Sequence, residues 1–345
     1  MSNPIYERLL PAPAAGGYRE EDHYIWCGSC VRGEDGRYHL FASRWKKELG
    51  FGVHWLFNCE IVRASSDVPE GPYRYEETVL GRRDRSFFEG MNQHNPHIQY
   101  WDGNYYLYYM GTTYGGPIPG PGDEVPSERA LETWNNKRIG LAVAPSVFGP
   151  WKRIDSPLLE PRPGKWDCTV TTNPAVAILP DGKTYMLYKS REYAGSTLKL
   201  GVAVADRPDG PFRRLTDDPI LDFGDPDLHV EDPFLWHADG LFHMLVKDDS
   251  KNGSRGLTGE WGSGVYATSE DCVSWRIHPE PKAYSRTVEW DDGRRTEMCN
   301  LERPYLLFQD GKPTHLFAAT GTGEGPYRFD HTWNMVIPLA DKGKL

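Results

Sequence analysis

The chain has 345 residues, of which 39% are hydrophobic and 13% aromatic, with 12 Trp, 19 Tyr, 36 Gly and 28 Pro. Lys and Arg number 39 against 49 Asp and Glu, a formal charge of −10 without any basic block, which argues against nucleic acid or an anionic membrane as partner. No apolar run approaches the ~18 residues of a membrane span, and the start, MSNPIYERLLPAPAAGG, lacks the basic and apolar regions of a signal peptide. As written the chain reads as cytoplasmic; a periplasmic or secreted protein whose signal had been removed would read the same.

Abundant Gly, Pro and aromatic residues favour many short strands and tight turns over long helices. In chain order the predicted elements begin with an N-terminal segment, Tyr6 to Leu10, whose sequence resembles the later segment WKRIDSPLLEP. Five strand–turn–strand units follow: SCVRGEDGRYHLFAS, NPHIQYWDGNYYLYYM, NPAVAILPDGKTYMLYK, DPFLWHADGLFHMLVK and RPYLLFQDGKPTHLFAA. Each turns on an Asp-Gly pair, beginning at Asp35, Asp102, Asp181, Asp239 and Asp310, which readily takes the positive φ angles of a tight hairpin. Third-strand runs (CEIVRASS, RIGLAVAPS, LKLGVAVAD, GVYATSED) come next. A Gly-Pro-aromatic motif then recurs at Gly71-Pro72-Tyr73, Gly149-Pro150-Trp151, Gly210-Pro211-Phe212 and Gly325-Pro326-Tyr327, with Ser274-Trp275 in the fourth unit.

Four strands in each of five units of about 69 residues predict an all-β, five-bladed β-propeller, a single domain over 1–345. The fifth unit ends without an outer strand. Tyr6 to Leu10 is expected to supply it, closing the ring and covering two sheet edges. Cys27, Cys30, Cys59, Cys168, Cys272 and Cys299 are too sparse for a disulfide framework, and the Cys27–Cys30 pair has no second C-x-x-C to complete a zinc site; all six are expected to be buried reduced thiols.

With every Asp-Gly turn at one end of the ring, the other end carries the long insertions SRWKKELGFGVHWLFN, TTYGGPIPGPGDEVPSERALETWNNK and DDSKNGSRGLTGEWGSG, and a ligand is expected there. The loop from Thr112 to Asn136 should overhang that funnel, offering Trp134 and Tyr114 as stacking surfaces. Before the strand prolines stand Asn95, Asn173, Asp232 and Arg303, with Gly28 in the first unit, and beside them His94, Glu231 and Glu302. Six positions earlier come Asp22, Glu89, Asp167 and Glu297, and in the fourth unit Asp225 and Asp227 flank Pro226. An acid before a strand often does no more than form an Asx turn. Several acids aimed at one axial funnel would supply the proton donor and second carboxylate of glycoside cleavage. Lys189 and Lys247, at the ends of second strands, would balance such carboxylates or hold phosphate.

The five-unit layout, the HNP, TNP, EDP and ERP segments and the Gly-Pro-aromatic motif resemble the five-bladed glycoside hydrolases of families 43, 32 and 117, most of all bacterial family 117-like proteins, whose known members remove terminal 3,6-anhydro-L-galactose from agar fragments. The resemblance implies an exo-acting, inverting glycosidase that takes a terminal anhydro-galactose-, furanose- or pentose-type sugar from an oligosaccharide. Carried over by position, the base is Asp22, the orienting residue Asp167 and the acid Glu231, kept protonated by like-charge repulsion from Asp232, with His229 as alternative acid. The implied binding set is Glu89, His94, Asn95, Asn173, Lys189, His229, Asp232, Lys247, Glu302, Arg303 and Trp134. The sequence departs from the family 43 pattern where Gly28-Ser29 and Asn173-Pro174 stand in place of aspartates; only Asp232 keeps its position. Two other readings stay open: a glycoside phosphorylase with Arg303, Lys189, Lys247 and His94 around phosphate, and a non-catalytic carbohydrate-binding propeller. No cofactor is required, although His and Asp near the axis would suit a structural Ca²⁺ or Zn²⁺. Self-association into a homo-oligomer is open.

Overall fold

The computed structural model describes residues 3–225, 227–250 and 256–341; Pro226 and part of the third long insertion lie outside the described residues. The first sheet is β1 (His23–Arg32), β2 (Tyr38–Lys46), β3 (Glu60–Ser66) and β4 (Arg74–Leu80), antiparallel in that order. The second is β5 (Asn92–Trp101), β6 (Asn104–Thr112), β7 (Arg138–Ala144) and β8 (Lys152–Arg153). The third is β9 (Thr172–Ile178), β10 (Thr184–Ser190), β11 (Lys199–Ala205) and β12 (Arg213–Arg214). The fourth is β13 (Val230–Ala238), β14 (Leu241–Asp248), β15 (Gly264–Ser269) and β16 (Arg276–Tyr284). A small hairpin, β17 (Thr287–Glu289) and β18 (Arg295–Glu297), turns on Asp292-Gly293, an Asp-Gly pair outside the fivefold repeat. It precedes the fifth sheet, β19 (Asn300–Gln309), β20 (Lys312–Gly325) and β21 (Arg328–Pro338). Strands β1, β5, β9, β13 and β19 contact one another in a closed circle, so the sheets are the blades of a five-bladed propeller. Among the described residues the one α-helix is α1 (Ser127–Asn135), in the insertion between β6 and β7.

Each blade is packed on both faces, so its strands carry apolar residues without alternation. Tyr108 and Tyr109, consecutive on β6 and hence on opposite faces, are both fully buried. Such large rings need space across the sheet. Tyr109 pairs with Gly140 and Tyr188 with Gly201, and a Cβ at Gly140 would stand 2.6 Å from the Tyr109 ring. The Asp-Gly turns take the expected conformation, with positive φ at Asp102, Asp239 and Asp310 and at the glycines that follow.

Three of the four Gly-Pro-aromatic motifs share one place, the link between third and fourth strands, with cis prolines at Pro72, Pro150 and Pro211. The fourth does not. Gly325-Pro326-Tyr327 forms the tip of the long β20–β21 hairpin on the funnel side, which explains why it follows its Asp-Gly turn so soon.

The N-terminal segment lies against β21 as expected, but not as a strand. Tyr6–Arg8 is a 3-10 turn; only Leu9 bridges to Leu339, with Leu10 N donating to Pro338 O at 2.9 Å and Ala340 N to Arg8 O at 2.8 Å. A second bridge joins Tyr18 and Asn334 by two 2.9 Å hydrogen bonds. Pro4, Pro11 and Pro13 lack the N–H that a continuous ladder needs, so the closure is made in two short stitches. All six cysteines are free; Cys27, Cys30, Cys59 and Cys272 are buried as expected, whereas Cys168 and Cys299 are partly exposed. Ile5 is fully buried in the main core. Ile5→Ala should therefore cost about 2–5 kcal/mol in urea unfolding, and a change below ~0.5 kcal/mol, the size of an ordinary surface substitution, would show that the leader does not complete the fifth blade.

Candidate active site at the propeller axis

The five innermost strands break register at one level. Bulges fall between Trp26 and Ser29, His94 and His97, Glu231 and Phe234, and Glu302 and Tyr305, and β9 slips against β10 between Leu187 and Lys189. At each break one non-glycine residue has positive φ: Cys27 (52°), Asn95 (53°), Asn173 (54°), Asp232 (60°) and Arg303 (56°). A bulge adds a residue to one strand and re-aims its side chain, here toward the axis. In four blades the next residue is proline, which has no N–H to lose from the ladder. In the first blade Cys27 holds this position and Gly28 replaces the proline, so the sequence alignment on Gly28 is one residue late. Gly28 is required there, because a Cβ would stand 2.5 Å from the Asn334 side chain.

The five side chains are joined in sequence around the axis. Cys27 Sγ donates to Asn95 Oδ1 (3.0 Å), Asn95 Nδ2 to Asn173 Oδ1 (2.7 Å), and Asn173 Nδ2 to Asp232 Oδ1 (3.0 Å). Arg303 Nη1 pairs with the same Asp232 oxygen at 2.9 Å. Burial pushes the Cys27 thiol far up, against the pull of Arg303, which keeps it a donor.

Above this ring lies a cavity of about 180 Å³. Trp26, Trp45, Phe51, Trp55, Trp134 and Tyr327 form its aromatic walls, and Glu231, Asp232, Glu302, Lys137, Lys189 and Arg303 supply its charges. Glu231 contacts Lys189 directly and Lys247 at 3.3 Å; Glu302 accepts from Lys247 (2.8 Å), Asn300 Nδ2 (2.8 Å) and the Tyr327 hydroxyl. Burial opposes a charge on Glu231, but Lys189, Lys247 and Arg303 outweigh it and hold the carboxyl well below its usual range. Burial, with the charge of Glu231 added, pushes Asp232 up despite Arg303. Of the two, Asp232 is the one more readily protonated, the reverse of the order expected from sequence. Asp232 Oδ1 is used by Asn173 and Arg303, while Oδ2 has no partner among the described residues and is the oxygen free to take a proton.

Of the residues singled out in the sequence, His94, Asn95, Asn173, Lys189, Glu231, Asp232, Glu302, Arg303 and Trp134 meet in this cavity. His94 is kept neutral by burial and by Arg303, Lys137 and Lys189, with Cys59 Sγ 3.0 Å from its Nδ1. Lys247 sits fully buried behind Glu231 and Glu302, outside the lining. His229 borders the neighbouring recess, its Nδ1 3.2 Å from Asp249. Burial works against its protonation, but Asp249 and Glu231 raise its pKa.

The acids six positions upstream are not in the cavity. Asp22 has 81% of its side chain exposed on the rim, where among the described residues its carboxylate bonds only His23. Glu89 is fully buried between Arg83 and Arg153, and Asp167 between Arg162 (2.8 Å), Arg214 and the Tyr188 hydroxyl (2.8 Å). Arg153 and Arg214 belong to the outer strands β8 and β12, so in these blades the repeating acid ties an outer strand down. Glu297 is exposed and pairs with Arg286. Tyr114 is buried against the first blade's insertion, donating to Phe57 O at 2.7 Å. Lys137, Trp26, Trp45, Phe51, Trp55 and Tyr327 line the cavity without having been singled out; a tryptophan-rich insertion and the early fifth Gly-Pro-Tyr were the available signals.

The ring does not suit the Ca²⁺ or Zn²⁺ considered for the axis. Its one carboxylate already has Arg303 as counter-charge, and its amides are spent on one another, whereas Ca²⁺ takes ~6–8 oxygen ligands. Glu20, Asp22 and His23 form the one cluster of metal-ligand type among the described residues, on the exposed rim.

No family model and no curated protein matches the chain. Solved structures do. A family 117 glycoside hydrolase of the marine bacterium Zobellia galactanivorans is 17% identical, with a TM-score of 0.63 over 96% of this chain and 89% of that one. The arabinanase Arb43A of Bacillus subtilis is 15% identical (TM-score 0.58, 94% and 96% covered). A GH43 enzyme of Xanthomonas citri complexed with xylotriose is 16% identical (TM-score 0.58, 97% and 92% covered). At these identities the chain shares their five-bladed fold.

Two substitutions separate ties from site. Asp167→Ala leaves two arginines partly buried and unpaired and should destabilise the fold by about 3 kcal/mol, measured by denaturant unfolding. Asp22→Asn, on the exposed rim, should change stability by less than ~0.5 kcal/mol; a large loss there would return Asp22 to a structural or functional role.

Proposed function

We propose that the chain is an exo-acting glycoside hydrolase that takes one terminal sugar ring into the axial cavity. The observation that carries this reading is the adjacent pair Glu231 and Asp232, one carboxyl driven toward the ionised form and its neighbour toward the protonated form, in a small aromatic-walled pocket. Divergent proton affinities in neighbouring carboxyls mark an acid–base assignment. A cavity of about 180 Å³ is well below the ~300–1,000 Å³ of a drug-sized site, so it favours a single ring at a chain end. Terminal furanose, pentose and anhydro-galactose units fit that limit. The structural neighbours, a family 117 glycoside hydrolase, an arabinanase and a GH43 enzyme complexed with xylotriose among them, support carbohydrate as substrate.

Glu231 and Asp232 share the Lys189 ammonium, which touches Glu231 and lies 4.0 Å from Asp232. Their facing oxygens are thus closer than the ~6.5–9.5 Å between carboxyls that leave room for an activated water. The spacing favours direct attack. Glu231 would bond the anomeric carbon while the Asp232 proton moves to the departing oxygen; water would then cleave the glycosyl ester and return the proton to Asp232. This replaces the inversion expected from an Asp22–Glu231 pair. A phosphorylase is favoured less, because Lys189, Lys247 and Arg303 are already paired with the site carboxylates.

The test is hydrolysis of a panel of aryl glycosides and of agar-, carrageenan- and arabinan-derived oligosaccharides, with and without phosphate. Glu231→Gln should lower turnover by at least ~100-fold, Glu231→Ala should be partly rescued by azide, and NMR of the first product should show the substrate's anomeric configuration. An inverted product would dismiss Glu231 as nucleophile, and near-normal turnover in Glu231→Gln would dismiss the site. Since the reaction needs Asp232 protonated, kcat/KM should also fall as pH rises through the raised pKa of that carboxyl, a limb that Asp232→Asn should remove together with most of the activity.

A further inference from the structure

The charges of the cavity match one another, with one exception. Glu231, Asp232 and Glu302 are paired with Lys189, Lys247 and Arg303. Lys137 is a fourth cation, at the end of the insertion that carries α1. Its side chain is 97% withdrawn from solvent yet lines the cavity, and among the described residues it has no carboxylate within ion-pair distance. Its ammonium stands 3.6 Å from the centroid of the Trp134 ring and 5.4 Å from that of Trp55. Trp134 in turn carries a second cation, Arg191, 3.7 Å from its centroid and also without a carboxylate partner.

A buried ammonium without a counter-charge is costly, and an aromatic face returns only part of the lost hydration. Burial, then repulsion from Lys189 and Arg303, holds the pKa of Lys137 well below that of a free lysine despite the attraction of Glu231. The site therefore holds a cation position with no ion-pair partner among the described residues, facing the space the sugar would occupy.

We infer that Lys137 seats an oxyanion carried by the bound sugar, a uronate carboxylate or a sulfate ester, so that the substrate is an acidic rather than a neutral glycan. This rests on the glycosidase reading and narrows it to a substrate class. The oxyanion lies against Lys137, with Trp134 and Trp55 holding the ammonium in place. Binding supplies the missing counter-charge and raises the lysine pKa, so anion affinity is strongest at low pH and declines as the pH rises through the value in the complex.

The full-length protein is titrated by calorimetry with D-galacturonate, D-galactose 6-sulfate, D-galactose and inorganic phosphate. At least one acidic sugar should bind ten-fold or more tighter than galactose, and that preference should decline as the titrations are repeated at rising pH. Lys137→Met should abolish that preference while leaving galactose binding and the unfolding midpoint near wild type, and Lys137→Arg should keep it. Equal affinity for acidic and neutral sugars, an unchanged preference in Lys137→Met, or binding of phosphate alone would overturn the inference. Cleavage of neutral glycosides by the wild-type protein, with no preference for their acidic counterparts, would leave the glycosidase reading intact while this one failed.

Discussion

In a β-strand successive side chains point to opposite faces, and a blade packed on both faces sends them toward its neighbours rather than toward the axis. A functional group at the centre of a propeller therefore needs a break in the strand. All five inner strands supply one, at the same height, by holding a single non-glycine residue at positive φ. Each of those conformations costs of order 1–3 kcal/mol unless the surroundings over-determine it. The row of bonds from Cys27 through Asn95, Asn173 and Asp232 to Arg303 is that surrounding: each residue is held by a neighbour on an adjacent blade. The cavity floor and the blade-to-blade registry at the axis are the same set of bonds.

The architecture was legible because its signals are local. Asp-Gly turns, alternating runs and short aromatic strands each report on a few residues, and five repetitions fix the count of blades. The axial residues were legible for a related reason, since a proline after an inner-strand bulge leaves a mark in the sequence four times. Where the proline is missing, in the first blade, the alignment slid from Cys27 to Gly28. What the sequence could not separate were two kinds of repeated acid. Glu89 and Asp167 recur at the same offset from the strand proline as a catalytic residue might, yet each meets an arginine of its own blade's outer strand, and that pairing is visible only once the strands are side by side. Repetition itself argued for structure there: a tie is needed in many blades, a catalytic group in one or two.

The order of proton affinities was hidden for another reason. Like-charge repulsion between consecutive acids is apparent from sequence, but its outcome depends on which of the two faces the cations. Lys189 and Lys247 come from the ends of second strands and converge on Glu231 only because of the bulge beside it, while Asp232 is turned down into the ring and loses water with one oxygen unpaired. Sequence places the residues together; the bulge decides which of them is ionised.

The charge of the axial ring is distributed unevenly, and this constrains how any sugar can lie. Blades one, two and three contribute a thiol and two amides; blades four and five contribute Asp232 and Arg303, and the same two blades bring Glu231 and Glu302. The carboxylates of the lining therefore lie on one side of the cavity, and in the proposed reaction the anomeric carbon would face that side. The opposite wall is built from insertions of the first and second blades, with Trp45, Phe51, Trp55, Trp134 and Lys137, and has aromatic faces and an ammonium but no acid. On the proposed reading, a sugar ring between such walls would have its reducing-end bond over blades four and five and its far substituents against Trp134 and Lys137. With a thiol and an amide, Cys27 and Asn173, at the axis in blades one and three, the charged groups of the ring are confined to blades four and five and the opposite wall is left aromatic and cationic.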